Sequence, residues 1–314
     1  MTDRLEALRE KMREEGVDFV ALGPGAHLRW LLGVRPHADE RPLLACVTAK
    51  DAGFLMPALE AESARTQTDL PFYSWADDQG PKAAFQSLLT TFGADSAKSI
   101  VLDECMRADF AALVQDSLPA AKRAFTESTV GSLRASKDRA EFDALKANAL
   151  IADTAMQTAW AAMEPGLSEL EVAAIVRESF SRQGARPLFT IVGTASNGAF
   201  PHHQTGETIL KEGDAVVMDV GAGRDGYSSD ITRMAIMGDK PDGYDEIHQI
   251  VENAVQAAME AARPGAPASQ VDQAARDVIT KAGYGDYFVH RTGHGMGVEV
   301  HEPPYITASS QTVL

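Results

Sequence analysis

The sequence predicts an α+β protein of two domains, an α/β domain over residues 1–133 and a second, mixed domain over residues 134–314. Three observations predict it. At 314 residues, with 45% hydrophobic and 24% charged side chains, the chain can bury a sizeable core and is longer than most single domains. Short apolar runs alternate with helical periodicities through its first part. Around residues 128–136 small and polar residues interrupt that alternation, ahead of a long amphipathic stretch that opens a different order of elements.

In the first part, Leu5, Leu8 and Met12 fall at helical spacing before Gly16, and the run VDFVAL at residues 17–22 reads as a buried strand ended by Gly23-Pro24-Gly25. Further strands are expected at 42–47, 53–56 and 99–102, with helices at 82–92 and 107–118. This part offers no ligand cluster or carboxylate pair that reads as catalytic, and its expected role is structural or cleft-shaping. The second part starts with a helix over 137–163 that stops at Pro165-Gly166, and Ser168 with Glu171 forms a capping-box pattern for the next helix, which runs to Gly184. Strands are expected at 188–192 and within 214–237, helices at 244–262 and 269–282, and a closing segment at 290–306 rich in Gly and His. No internal repeat is evident.

A formal charge of −16 provides no basic surface for phosphates, so nucleic acid and anionic membrane are excluded as expected partners. The opening residues mix charges with apolar side chains and lack the apolar core of a secretion signal. Cys46 and Cys105 are too few and too far apart for a disulfide framework. No apolar run approaches the roughly 20 residues of a membrane span. A cytoplasmic protein is expected.

Two stretches carry chemistry. In DAVVMDVGAGRDGYSSDITR, residues 214–233, two strands meet at a Gly223–Gly226 turn. If Arg224 and Asp225 make that turn, Asp219 and Asp230 face each other on one side of the hairpin. Facing carboxylates repel, and a divalent cation would reconcile them with oxygen ligands. Asp225 and Asp230 could equally be turn residues, with Asp219 capping a strand end; spacing alone leaves both readings open. In HRTGHGMGVEVHEPP, residues 290–304, His290, His294 and His301 are three of the chain's eight His. Gly293, Gly295 and Gly297 argue against a helix and for a loop or irregular strand that approaches a ligand closely. Neutral imidazoles there could bind metal or move protons. A third loop places His202 and His203 shortly before the hairpin, and alone it says little. His27, His37 and His248 read as structural.

Taken together, these motifs resemble the metallopeptidase family of methionine aminopeptidases, prolidases and Xaa-Pro aminopeptidases. The match is closest to the Xaa-Pro branch, whose order of a His loop, VxxDxGxxxxGYxxDITR and HRTGHGxGxxxHExP is met nearly position by position. The resemblance implies an amino-terminal creatinase/prolidase-type domain of RNase H-like form, then a pita-bread catalytic domain. It implies that Asp219 is a metal ligand, Asp230 a bridging ligand and His294 an imidazole ligand. His202 and His301 become the catalytic, substrate-facing histidines, and His290 a substrate-binding residue. It also implies two divalent ions, Mn²⁺ first and Co²⁺ or Zn²⁺ as alternatives. Two ions about 3.5 to 4 Å apart can activate water and polarise a scissile carbonyl. The implied activity is hydrolysis of amino-terminal Xaa-Pro bonds, as aminopeptidase or dipeptidase, on short peptides with proline second. The implied assembly is a homodimer.

One departure stands out. The family takes two further Glu ligands from downstream strands, whereas this chain runs only 20 residues past His294, and its remaining acids there, Glu299 and Glu302, belong to the His motif. The expectation is a carboxy-terminally truncated fragment with an incomplete cage, an unpaired sheet edge and little or no activity. The rival readings are a same-fold enzyme on a non-peptide substrate (an ectoine-type hydrolase, a dimethylsulfoniopropionate lyase or a creatinase-like enzyme) and, behind these, a non-catalytic peptide-binding module.

Overall fold

A computed structural model describes residues 2–314; Met1, counted in the expected first domain and its opening helix, lies outside the described residues. The chain divides into two compact units, one ending at Ser136 and the other spanning Lys137–Leu314.

The first unit is built on a mixed six-stranded sheet of β1 (Phe19–Leu22), β2 (Leu44–Val47), β3 (Ala52–Pro57), β4 (Phe72–Trp75), β5 (Ser99–Leu102) and β6 (Lys122–Phe125), in the order β4-β3-β2-β1-β5-β6. β1 pairs antiparallel with β2 and parallel with β5, so the chain reverses direction within the sheet. β1, β2 and β3 are buried along their whole length, and their unbroken apolar runs follow from cover on both faces. The helices are α1 (Thr2–Glu15), α2 (Ala26–Leu32), α3 (Ala58–Arg65), α4 (Lys82–Thr91), α5 (Ala108–Ser117) and α6 (Val130–Ala135). Phe85, Leu88 and Leu89 of α4 and Phe110 and Val114 of α5 close a core with Phe19, Cys46, Leu55 and Leu102. The sheet edges were not expected from the sequence: β6 is exposed at every position, so it shows no apolar signal, and β4 buries only Trp75.

The second unit starts with α7 (Arg139–Ala162), capped by an Asp138–Glu141 box, and α8 (Glu169–Arg182), capped by the expected Ser168–Glu171 box. Three antiparallel strands follow, β7 (Arg186–Thr194), β8 (Ala215–Arg224) and β10 (Ile231–Ile236), in the order β10-β8-β7, with the two-residue β9 (Tyr227–Ser228) beside the end of β8. Along β8, Val216, Met218, Val220 and Ala222 are buried in the core that also holds Ile151, Ala155, Val172, Val176 and Phe180 of α7 and α8. Strand alternation therefore points Asp219 to the other face, away from the helical layer. The chain continues through α9 (Tyr244–Ala261) and α10 (Ala268–Lys281), which pack on each other, to the short pair β11 (Gly293–Gly295) and β12 (Glu302–Ile306).

Candidate metal centre

The carboxylate hairpin forms, with a register two residues away from the expected one. Its turn is Asp225-Gly226, with φ of 57° and 90°, and Arg224 pairs with Tyr227. A two-residue turn matching the strand twist needs positive φ at both central residues, which Asp-Gly supplies and Arg-Asp does not. Asp219 consequently pairs with Thr232, and the threonine hydroxyl donates to Asp219 Oδ1 at 2.8 Å. Asp230, two residues earlier on the returning chain, is a diagonal neighbour on the same face. The two carboxyls still meet. Burial pushes the Asp230 carboxyl up to about 6, with the Asp219 charge adding to the effect and His294 opposing it.

His294 sits in β11. Its Nδ1 lies 2.9 Å from the Gly295 carbonyl, and a carbonyl oxygen only accepts, so Nδ1 carries the proton. Its Nε2 faces Asp230 Oδ2, 3.4 Å away. Both side chains are largely shielded from water, and an imidazole nitrogen beside a carboxylate oxygen offers donor types that a divalent cation takes. The His301 ring stands 4.2 Å from that of His294 at 72°, and ligand atoms of Asp230, His294 and His301 all lie within 4.8 Å of one another. His301, though exposed as a residue, has its imidazole held below the usual range, first by partial desolvation and then by the nearby His294, Arg291, His202 and His290. His202 and His290, both exposed, approach edge to face at 6.1 Å. His290 Nδ1 donates to the Arg291 carbonyl at 2.8 Å. The structure thus gathers all six sequence-derived residues on one side of the second unit.

The glycines sit in an irregular strand, as expected, but what they approach closely is the chain's own Glu302 rather than a ligand. A side chain at Gly295 would come within 2.7 Å of the Glu302 carbonyl, and one at Gly297 would collide with the Glu302 carboxylate. Glu302 itself is buried and accepts from Lys137 Nζ at 2.6 Å and from the Glu299 backbone, so it anchors β12.

Sequence reasoning passed over the groups that support these loops. Asp272 of α10 is fully buried, receives two bonds from Arg276 and one from Thr292, and Arg276 also donates to the Phe288 and His290 carbonyls. The network holds the HRTGH segment in place. Its signal was a charged pair at helical spacing, which looks the same on a solvated face. Glu169 of α8, also fully buried, binds the loop that carries His202.

A second grouping of ligand types, His27, Asp103 and Glu104, occurs in the first unit. There Arg134 Nη1 donates to His27 Nδ1 at 3.0 Å, and Thr126 occupies both oxygens of Glu104. A resident guanidinium opposes a cation, which agrees with the structural reading of His27. Among the described residues, no helix is long and apolar enough to cross a membrane.

The donor set of two touching carboxylates and an imidazole suits a hard divalent cation. Comparison with known proteins agrees. The model for metallopeptidase family M24 matches residues 143–314, and that for the creatinase/prolidase N-terminal domain matches residues 4–136. The chain is 31% identical to a Xaa-Pro dipeptidase of Pyrococcus furiosus, over 100% of this chain and 87% of that protein. Among solved structures it superimposes on dipeptidase PepE of Mycobacterium ulcerans with a TM-score of 0.93 and 33% identity, covering 100% of this chain and 85% of that one. A prolidase of Thermococcus sibiricus gives 0.91 and 28%, covering 99% and 86%. These matches take in 99 to 100% of this chain and 85 to 87% of each relative. The fold is α+β, a creatinase-like domain followed by a pita-bread domain. The chain belongs to metallopeptidase family M24, a family of divalent-metal enzymes.

Proposed function

We propose that this protein is a metal-dependent dipeptidase that hydrolyses Xaa-Pro dipeptides. The observation that carries the reading is the meeting of Asp219 and Asp230, two carboxyls that repel without a cation, beside the His294 Nε2. Its relatives are named Xaa-Pro dipeptidase, prolidase and dipeptidase, which favours this activity over a lyase, another hydrolase or a binding module.

In this reading Asp219, Asp230 and His294 would hold the divalent ions, for which the oxygen-rich donor set favours Mn²⁺. When bound, such ions would supply an acidified water and a polarised peptide carbonyl. The residues do the rest. Asp230 gives up its proton above about pH 6 and becomes a ligand. Thr232 fixes Asp219 through Oδ1. As water attacks the carbonyl carbon, His301, whose imidazole is held below its ordinary range, takes the water's proton and passes it to the departing proline nitrogen as the C–N bond breaks. His202 stabilises the oxyanion formed at the carbonyl, and His290, packed against it, lines the substrate cleft. We further propose a domain boundary at residues 133–134, a homodimer and a cytoplasmic location, the last supported by a sequence with only two cysteines, too far apart for a disulfide framework.

The test is Mn²⁺-stimulated release of proline from Xaa-Pro dipeptides, with Asp230→Ala as control. Release that needs Mn²⁺ and disappears in the variant is expected. Metal-loaded wild-type protein that leaves these dipeptides intact would overturn the substrate assignment.

A further inference from the structure

The buried carboxylate of Glu169 is unexplained by the reaction and by the helix that carries it. It is the first residue of α8, and that helix already has its amino terminus capped by Ser168 and Glu171. The Glu169 side chain instead turns to the segment that follows β7. Oε1 accepts from the Thr194 backbone at 2.8 Å and from Asn197 Nδ2 at 2.9 Å. Oε2 accepts from the Gly206 backbone at 3.0 Å and lies 2.8 Å from His203 Nε2. Burial works against ionisation here, yet these donors together hold the carboxyl below its ordinary range. An ionised carboxylate only accepts, so His203 Nε2 is the protonated nitrogen.

The segment it grips needs holding. Ala195 has a φ of 49°, a left-handed conformation costly for a residue with a Cβ. A side chain at Gly193 would come within 3.1 Å of the Asn197 backbone, so the turn is folded tightly on itself. Glu169 ties this segment at its start, middle and end, and His202 lies between the middle and end ties. His202 and His203 are adjacent: one ring faces His290, the other is drawn back to Glu169 at 15% side-chain exposure.

We propose that Glu169 is a positioning residue, and the Glu169–His203 pair a clamp, that together fix the loop presenting His202 to substrate. The kinetic part rests on the dipeptidase reading; the structural part does not. The metal ligands lie on β8, the segment before β10, and β11, outside the clamped loop, so loosening it leaves metal binding in place.

The experiment compares wild type with Glu169→Gln, His203→Ala and His203→Gln. It measures amide hydrogen exchange of residues 194–206 against α7, a Mn²⁺ titration, and kcat and KM on an Xaa-Pro dipeptide. In Glu169→Gln, exchange in the loop should accelerate about tenfold or more while α7 stays protected. Mn²⁺ affinity should hold, and kcat should fall about tenfold to a hundredfold with little change in KM. His203→Ala should repeat the effect more weakly, and His203→Gln, which keeps a donor, should restore it. If Glu169→Gln fails to fold, the His203 pair decides: faster loop exchange in the alanine variant, reversed in the glutamine variant, supports the clamp. Should the wild type hydrolyse no dipeptide, the exchange measurements still decide it. Unchanged loop exchange in Glu169→Gln, or equal behaviour of the two His203 variants, overturns the proposal.

Discussion

The second unit contains the same entry motif twice. Where α8 begins, Gly166 N–H donates to the Leu210 carbonyl, Leu210 N–H to Leu167, Glu169 N–H to Thr208 and Leu170 N–H to Gly206. Where α10 begins, Gly265 donates to Leu314, Leu314 to Ala266, Ala268 to Thr312 and Ser269 to Ser310. Isolated bridges Ser168–Ile209 and Pro267–Val313 mark the same place in each half. The backbone repeats at these two entries while the side chains differ, so the two halves share this entry geometry and divide the chemistry. The first half supplies the two carboxylates and His202; the second supplies His290, His294 and His301. They differ in burial too. Val172, Val176 and Phe180 of α8 are sealed under the sheet, whereas α9 leaves Met259 60% and Val251 49% exposed, and Val251 lines an apolar hollow of about 450 Å³.

That contrast can be broken first at the core. Phe180→Ala should lower unfolding free energy by about 3 to 5 kcal/mol, measured by urea titration. If the loss is below about 1 kcal/mol, the first half is not the stable one.

The division of chemistry gives the next effect. Asp230→Asn should weaken Mn²⁺ binding by at least about a hundredfold, seen calorimetrically, since it removes a ligand from a three-donor set. The metal-free protein should respond in the opposite sense. An acid with a raised pKa favours the fold only while protonated, fully below about 4, the unfolded value. Its contribution disappears as pH rises through about 6. Metal-free wild type should therefore lose stability between these limits, and Asp230→Asn should flatten that slope. A slope unchanged by the substitution would contradict the electrostatic account.

A smaller effect belongs to the hairpin that joins the carboxylates. Gly226→Ala, at a φ of 90°, should cost about 1 to 2 kcal/mol in thermal or urea unfolding. The smallest belongs to the open face, where Met259→Ser should change stability by less than about 0.5 kcal/mol. A cost near that of Phe180→Ala would mean that this face is covered in solution.

Legibility in the sequence followed burial and local chemistry. The central strands β1, β2, β3 and β5 and the long helices were legible because their apolar periodicity is strong. The edges β4 and β6 were not, since one face or both meet solvent. The face shared by Asp219 and Asp230 was readable from parity alone, but their pairing was not, because Asp225-Gly226 and Arg224-Asp225 are both two-residue spacings and only backbone φ separates them. The duplication was invisible because it lies in main-chain hydrogen bonds, which place no demand on side-chain identity. Glu169 and Asp272 escaped for a related reason: a buried acid and a solvated one look alike in a helical sequence until their partners, distant along the chain, are placed beside them.

The central claim is a divalent metal site that forms only when Asp230 is ionised. A calorimetric Mn²⁺ titration of the wild-type protein at pH 7.5 and pH 5, beside Asp230→Asn at pH 7.5, tests it most directly. The account predicts binding at pH 7.5, an affinity lower by about tenfold or more at pH 5, and none measurable in the variant. Equal affinity in wild type and variant, or no binding by the wild type at pH 7.5, would contradict it.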